Sequence, residues 1–389
     1  MSNCGIIVEY NPFHNGHKFH IKQSRELAGA DGIIAVMSGS FVQRGQPAIF
    51  DKFTRAKAAI AGGADLVIEL PFCYACAPAQ FFAEGAVRLL ANTGIVNSIC
   101  FGSECGDIES LSQSQSSSDK LKDYLAEGMS YPAACAAASE NPLCSPNDIL
   151  GAEYLRAVKS YAPEISAYTI KRKDSGYHSL DISGSFASAT ALRNLIYNGN
   201  FSSLREFVPS EVFDIFEKEY NIGNYTDLSL LDSLVLGKLR SGISMYDTAY
   251  VAEGLENRFF ENSFSVSSIT ELADSVKTKR YTHARLMRII ACYAVGLTDA
   301  ELQEYVRGCP KYIRILAANE TGKKMLSDMK KKATLPIITT PSDYKKLNST
   351  GRKMFELDCR AADIASLAKR NPALRNGRQD FGKLNIFSG

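Results

Sequence analysis

The sequence predicts an α/β fold, a doubly wound parallel sheet followed by a mostly helical C-terminal region. Three observations carry this. Over the first ~200 residues, five short apolar runs alternate with segments of helical periodicity, the pattern of strands joined by crossover helices. The second and third runs, "GADGIIAVMSG" (29–39) and "GGADLVIELP" (62–71), each begin after Gly-Ala-Asp and stop at Gly or Pro, so each is entered through a turn after a helix. Beyond residue 201 the β pattern disappears, and "LSLLDSLVLGKLRSG", "HARLMRIIACYAVG" and "ELQEYVRG" have the spacing of amphipathic helices.

In chain order, strands are expected at Cys4–Glu9, Gly32–Met37, Leu66–Leu70, Ile95–Phe101 and Ile165–Ile170. Helices are expected at Gly16–Ala28, Asp51–Ala61, Pro78–Ala91 and Asp148–Tyr161, and "SATALRNLI" (188–196) opens another with Ser188 as its cap. Residues 106–146, with "SQSQSSSDK" and "AACAAASENP", form an inserted excursion, and "LPIITTP" (335–341) reads as an isolated late strand. This divides the chain into an α/β domain at 1–200 and a mostly helical region at 201–389.

Charged residues at 22% and hydrophobic residues at 45% place the chain among soluble globular proteins. No stretch approaches the ~20 apolar residues of a membrane span. The opening "MSNCGIIVEY" lacks a basic n-region and a small-residue cleavage site, so a cytoplasmic protein without a membrane partner is expected. In that compartment the ten cysteines are expected to be reduced, and "CYAC" (73–76) has no second pair at matching spacing to complete a zinc site. The net charge of +2 hides an asymmetry. Residues 1–270 carry 21 basic and 30 acidic side chains, whereas residues 271–389 carry 23 and 12. A basic C-terminal third suggests a polyanionic partner, with solvated basic helices as the bland reading.

The chemistry concentrates after the first strand, in "YNPFHNGHKFH" (10–20), which holds three of the five histidines. Ligands of doubly wound sheets bind beyond the carboxyl ends of the strands. Gly16 leaves the helix start bare, so a phosphate can approach its free N–H groups and the positive end of its dipole. His14 and His17 flank that glycine as hydrogen-bond donors, placed where charge accumulates during attack at an α-phosphate. No Gly-x-x-x-x-Gly-Lys-Ser/Thr loop is present, and no Gly-x-Gly-x-x-Gly follows a strand, so neither a P-loop nor a dinucleotide cofactor is expected.

"HNGH" (14–17) resembles the His/Thr-x-Gly-His signature of the nucleotidyltransferase superfamily, related to the HIGH motif of class I aminoacyl-tRNA synthetases. "SATALR" (188–193) is similar to that superfamily's second signature, a Ser/Thr-rich helix start ending in Arg after the last strand. A closer resemblance runs through "VEYNPFHNGHKFH", "MSGSFVQRGQPA", "GADLVIELP", "FGSE", "PNDILGAEYL", "IKRKDSGYHS" and "SATALR", with weaker support from "RLMRI" and "ELDCRAADI". Together they resemble the tRNA-methionine cytidine acetate ligase family. The resemblance implies the HIGH-motif nucleotidyltransferase fold. It also implies an ATP-dependent ligase that forms acetyl-adenylate and passes the acetyl group to N4 of the wobble cytidine of elongator tRNA-methionine, releasing AMP and pyrophosphate. ATP is then the co-substrate, with Mg2+ on its phosphates, and acetate and tRNA are the partners. No protein side chain is expected to ligate the metal.

On this resemblance His14, His17 and Arg193 are the catalytic candidates. The nucleotide is wrapped by Ile7, Val8, Glu9, Tyr10, Asn11, Pro12, Phe13, His14, Asn15, Gly16, His17, Lys18, Phe19 and His20, chiefly through backbone, with His20 readable equally as a helix-surface residue. Gly102 allows close approach of adenine or ribose; Arg172 reaches phosphate or ribose, Ser188 and Thr190 reach phosphate, and Lys173 joins Arg172 or is merely solvated. The family pattern has Asn-Asn before Ile-Leu-Gly where this chain has Asn147-Asp148, leaving open which of the two contacts ATP. Gln43 and Arg44 serve acetate or the target base, or form a surface turn; His178 orients the site or is a loop histidine. Arg285, Arg288, Lys330, Lys331 and Lys332 are the candidate tRNA contacts. Two other readings remain open here: an adenylyltransferase that makes a dinucleotide from a small metabolite, and a non-catalytic RNA-binding protein on a vestigial nucleotide fold.

Overall fold

The computed structural model describes residues 1–113, 145–172, 187–252, 254–306 and 308–381, with scattered positions between 123 and 138. Most of the 106–146 excursion therefore lies outside the described residues, as do Lys173 and His178.

Five parallel strands form the body of one sheet: β1 (Asn3–Val8), β2 (Gly32–Ser38), β3 (Leu66–Leu70), β4 (Ser98–Ser103) and β5 (Ser166–Lys171), in the order β5-β4-β1-β2-β3. The chain winds outward from β1 through β2 to β3, then crosses back to β4 on the other side of β1. The order thus reverses between β1 and β4, and their carboxyl ends open the crevice where such sheets bind ligands.

Helices α1 (Asn15–Leu27), α2 (Lys52–Ala61), α3 (Phe72–Ala75), α4 (Ala79–Asn92), α5 (Ile108–Gln113) and α6 (Pro146–Tyr161) lie in the first part of the chain, followed by α7 (Ala189–Tyr197). They cover both faces, because successive strand residues point oppositely. Ile33, Ala35 and Met37 of β2 share a core with Ile21 of α1 and Ala56 and Ala59 of α2. Ile34 and Val36 join Phe82, Val87 and Leu90 of α4 in another. A Cβ on Gly5 would stand 2.6 Å from Leu90, so α4 lies directly on β1 only because that position has no side chain.

The second half is mostly helical, with α8 (Ser210–Asn221), α9 (Asp232–Arg240), α10 (Leu255–Ser263), α11 (Ile269–Val276), α12 (His283–Val295), α13 (Asp299–Val306), α14 (Glu320–Lys332) and α15 (Ser349–Leu367). The β pattern does not end at residue 201, however. Strand β6 (Ile313–Ala318) pairs antiparallel with β3, and β7 (Ile337–Ile338) pairs parallel with β6, so "LPIITTP" is not isolated but closes the edge of the main sheet. All six residues of β6 are buried, and a short run buried on both faces has no alternation to distinguish it from a helix. Helix α14 crosses the amino edge of the sheet. It meets Asp65 before β3, Gly32 at the start of β2 and Gly94 ahead of β4.

A buried ion network ties these late elements to the sheet. Lys52 Nζ lies 2.7 Å from Glu69 at the end of β3 and 2.6 Å from Asp380, while Arg314 of β6 reaches Glu69 at 3.1 Å and Asp380 at 3.0 Å. All four side chains are 3% exposed or less, so each charge depends on the others in place of water. Replacing Lys52 with Met would leave two buried carboxylates facing one cation. The expected cost is about 3–5 kcal/mol of unfolding free energy, measured as a lowered urea midpoint.

Candidate active site

Past Val8 the chain leaves β1 through Glu9–Phe13 and enters α1. Tyr10 turns it with φ of 50°, a strained value for a side chain of this size. His14 is the N-cap of α1, and its Nδ1 accepts the Gly16 N–H at 3.1 Å. His17 reaches back so that its Nδ1 accepts the His14 N–H at 3.2 Å. This is a reciprocal cap built from two imidazoles, whose rings stack with centroids 3.7 Å apart. A nitrogen that accepts carries no proton, so each neutral ring holds its proton on Nε2. The cap therefore makes both histidines Nε2–H donors.

Burial keeps these rings uncharged. It pushes His14 down to about 3, with the Arg172 guanidinium adding to the effect. Burial, His14 and then Arg172 hold His17 well below its ordinary range. His20 is pushed to about 4 by burial and then by Arg172, and its Nε2 is buried without a hydrogen-bond partner among the described residues. Arg172 arrives from the far side of the sheet. Its N–H donates to Ser103 O at 2.9 Å, extending the β4–β5 pairing, and a Cβ on Gly102 would stand 3.3 Å from its Cγ. The result is a recess at the positive end of α1, lined by three imidazoles and one guanidinium. Its chemistry suits a polyphosphate.

The other expected residues divide. Asp148 is buried and its carboxylate is committed: Oδ1 accepts the Glu104 and Cys105 N–H groups at 2.8 and 3.1 Å, and Oδ2 accepts the Ser145 hydroxyl. Asn147 is the more accessible neighbour, donating to Glu104 Oε1 at 2.5 Å. Arg193 donates to Asn11 O at 2.8 Å and to Thr190 Oγ1 at 3.0 Å, while Ser188 caps α7 by accepting the Ala191 N–H. The side chains of Val8, Tyr10, Asn11 and Phe13 are buried, and Pro12 with them. Asn11 Oδ1 accepts the Ile49 N–H at 2.7 Å, Asn15 bonds Glu206 O and Lys18 pairs with Glu211 at 2.6 Å. Phe19 and Ile7, both partly buried, pack against the cores on the two faces of the sheet. Of the 7–20 segment, then, the side chains gathered beside Arg172 are His14, His17 and His20.

Gln43 and Arg44 sit on a tight turn after β2, in which Val42 N–H donates to Gln46 O at 3.0 Å. At its tip Gly45 has φ of 79°, and a Cβ there would lie 2.5 Å or less from the backbone of Met287 and Arg288. The turn therefore rests on α12, beside Arg285 and Arg288. Burial lowers the Arg288 pKa. Lys330, Lys331 and Lys332 are exposed at the end of α14, by the amino edge of the sheet and opposite the recess.

Sequence reasoning missed Arg55. This fully buried residue of α2 donates through Nη1 to Glu9 O at 2.6 Å and Ser38 O at 3.0 Å, through Nε to Phe50 O at 3.0 Å, and through Nη2 to Gly39 O. It ties the carboxyl ends of β1 and β2 together behind the site. The available signal was an arginine among alanines on one buried helical face.

Comparison with known proteins follows the same geometry. Residues 1–380 match the HIGH Nucleotidyl Transferase family. The tRNA(Met) cytidine acetate ligase of Acetivibrio thermocellus is 38% identical over 98% of each chain. The enzyme of the same name from Thermoanaerobacter sp. (strain X514) is 41% identical over 96% of this chain and 97% of its own. The chain belongs to the tRNA(Met) cytidine acetate ligase family. Among solved structures, Thermotoga maritima TmcAL bound with alpha-thio ATP superimposes with a TM-score of 0.92 at 34% identity, covering 100% of this chain and 99% of that one. The apo form of the same protein gives 0.93. The family has the mostly parallel, doubly wound sheet described above, of the HIGH nucleotidyltransferase type. Among the described residues no helix is long and apolar enough to cross a membrane, and no group of three or more His, Cys, Asp or Glu side chains converges as a metal site.

The depressed histidines set a pH dependence. Their folded pKa values lie below the ordinary 6.5, so as pH falls from there toward about 4 the unfolded chain takes up protons that the folded chain refuses. Stability present above that window is lost as pH falls through it. The urea midpoint is expected to drop across this range, and less steeply in His20→Gln.

Proposed function

We propose that this protein activates acetate with ATP as acetyl-adenylate and transfers the acetyl group to N4 of the wobble cytidine of elongator tRNA-methionine, releasing AMP and pyrophosphate. The observation that carries this reading is the recess of Nε2–H donors and Arg172 at the start of α1, in a chain that matches ligases of that name end to end. His14 and His17 hold the phosphates and stabilise the charge that builds at the α-phosphate, with His20 and Arg172 beside them. Magnesium bound to ATP would offset charge on the pyrophosphate leaving group, with the phosphates themselves held by His14, His17, His20 and Arg172. The N–H donors of the recess bind anions and leave the metal to the nucleotide. Asn147 serves the nucleotide, and Asp148 holds the turn that presents it. Acetate offers one carboxylate and a methyl group, so the enzyme gains most by holding that carboxylate in line with the α-phosphate. Arg193, braced by Thr190 and Asn11 O, adds positive charge on the other side. The basic C-terminal third supports tRNA docking, with Arg285 and Arg288 beside the Gln43–Arg44 turn closest to the chemistry.

Incubation with ATP, labelled acetate and bulk tRNA tests the reading: acetate-dependent ATP–pyrophosphate exchange and label in tRNA are expected, whereas a soluble dinucleotide would support an adenylyltransferase. His17→Ala should cost about 1 kcal/mol of stability through the lost cap yet lower exchange by at least ~100-fold. Near wild-type exchange in that variant would remove His17 from the phosphate site.

Arg285→Glu is expected to weaken tRNA binding and flatten its salt dependence by roughly 0.7–0.9 log units per log unit of salt, while exchange persists. Reversal of Lys330, Lys331 and Lys332 to Glu, at the far edge of the sheet, is expected to have the smaller effect in the same filter-binding titration.

A further inference from the structure

Glu9 stands one residue past the end of β1, between the phosphate recess and the Gln43–Arg44 turn. Its side chain is partly accessible, and its Oε1 accepts the Gln43 N–H at 2.7 Å. The charged groups that face it are Arg55 from α2, Arg44 from the turn and Arg193 from α7, while Tyr154 of α6 feels its charge. Burial raises its pKa, opposed first by the Gln43 hydrogen bond and then by the three arginines. A carboxylate held in this way keeps an acceptor oxygen at the point where the nucleotide crevice meets the surface carrying Arg285 and Arg288.

The transfer step needs such an acceptor. The lone pair of a cytidine N4 amine is delocalised into the ring, so the amine attacks well only as a proton is removed from it. His14 and His17 cannot remove it: Nδ1 of each is committed to a backbone N–H group and Nε2 carries the proton, while His20 lies a turn further into α1 with its Nε2 buried. Both oxygens of Asp148 are committed. Glu104 accepts from Asn147 through Oε1 and keeps a buried Oε2 without a partner among the described residues, but it stands at the end of β4, on the other side of β1 from the turn.

We infer that Glu9 is the general base of acetyl transfer, taking a proton from the N4 amine of the acceptor cytidine as it attacks the acetyl carbon. The inference rests on the acetate–tRNA ligase reading above. As the N4–carbon bond forms, one N4 proton passes to the Glu9 carboxylate. The carbon–oxygen bond of the anhydride breaks with its electron pair staying on the phosphate of AMP, and Glu9 then returns the proton to water. No oxidant or further reactant is required. Burial, by raising the pKa of Glu9, strengthens it as a base.

Glu9→Gln separates this role from a structural one, because the amide oxygen can still accept the Gln43 N–H but cannot take a proton. Two rates decide it: acetate-dependent ATP–pyrophosphate exchange, and single-turnover transfer of labelled acetyl to tRNA between acid and neutral pH. Transfer is expected to fall by roughly 100-fold and to lose the acid limb of its pH profile, with exchange reduced by less than about tenfold. Transfer at the wild-type rate with the limb intact overturns the inference, and so does an equal fall in both rates, which would assign Glu9 to the nucleotide. If Glu9→Gln does not fold, Glu9→Asp decides: a slower transfer with a displaced acid limb supports the base, and an unmoved limb overturns it. Acetate-dependent exchange and tRNA labelling by the unaltered enzyme test the parent reading separately. Their absence would overturn both, whereas an unimpaired Glu9→Gln would overturn this inference alone.

Discussion

One buried guanidinium holds the working edge of the sheet. Parallel strands that end together leave carbonyls pointing into a crevice, where water cannot serve them all. Arg55 gathers four such groups, Glu9 O, Ser38 O, Gly39 O and Phe50 O. A neutral side chain offers at most two donors, whereas arginine offers five in a rigid fork. The charge is costly to bury, and burial lowers its pKa to about 10, yet Asp51, Glu9 and Glu69 oppose that shift and it stays cationic at neutral pH. The turn after β2, the exit of β1 and the position of Glu9 all depend on this contact.

The histidine cap uses a different economy. Three charged imidazoles beside Arg172 would repel one another, and the fold avoids this by keeping them neutral. The hydrogen bonds that finish the start of α1 also choose the tautomer, so the same contacts that stabilise the helix leave the proton of each ring on Nε2. Local folding and the tautomer of both rings thus share one pair of bonds. Positive charge is supplied by Arg172, reached across β4 and β5, and by the helix dipole.

The second half of the chain is built into the first. Lys52, Glu69, Arg314 and Asp380 join α2, β3, β6 and a turn at residues 379–381 in one dry cluster. Glu69 also lies beneath Gly39, where a Cβ would come within 2.5 Å of its Oε1, so the cluster sits directly under the turn that carries Gln43 and Arg44. Helix α12 supports that turn from the other side. A residue near position 380 is therefore coupled through packed side chains to the loop beside the crevice.

Much of this was legible along the chain. The alternation of apolar runs and helical periods, with Gly-Ala-Asp turns between them, determined the five parallel strands, because those patterns are local. His14 and His17 around Gly16 marked the candidate anion site for the same reason: cap, glycine and helix start are contiguous. Strand β6 escaped because "IRILAA" is buried on both faces and carries no alternation, so only pairing with β3 could reveal it. Arg55 escaped because its partners lie 5 to 46 residues away and are backbone carbonyls, which no side-chain motif records. The nearness of Arg285 and Arg288 to the Gln43 turn, and the remoteness of Lys330–Lys332, were likewise decided only by tertiary structure. Charge can be counted in a sequence, but the face on which it gathers is set by how α12 and α14 pack against opposite edges of the sheet.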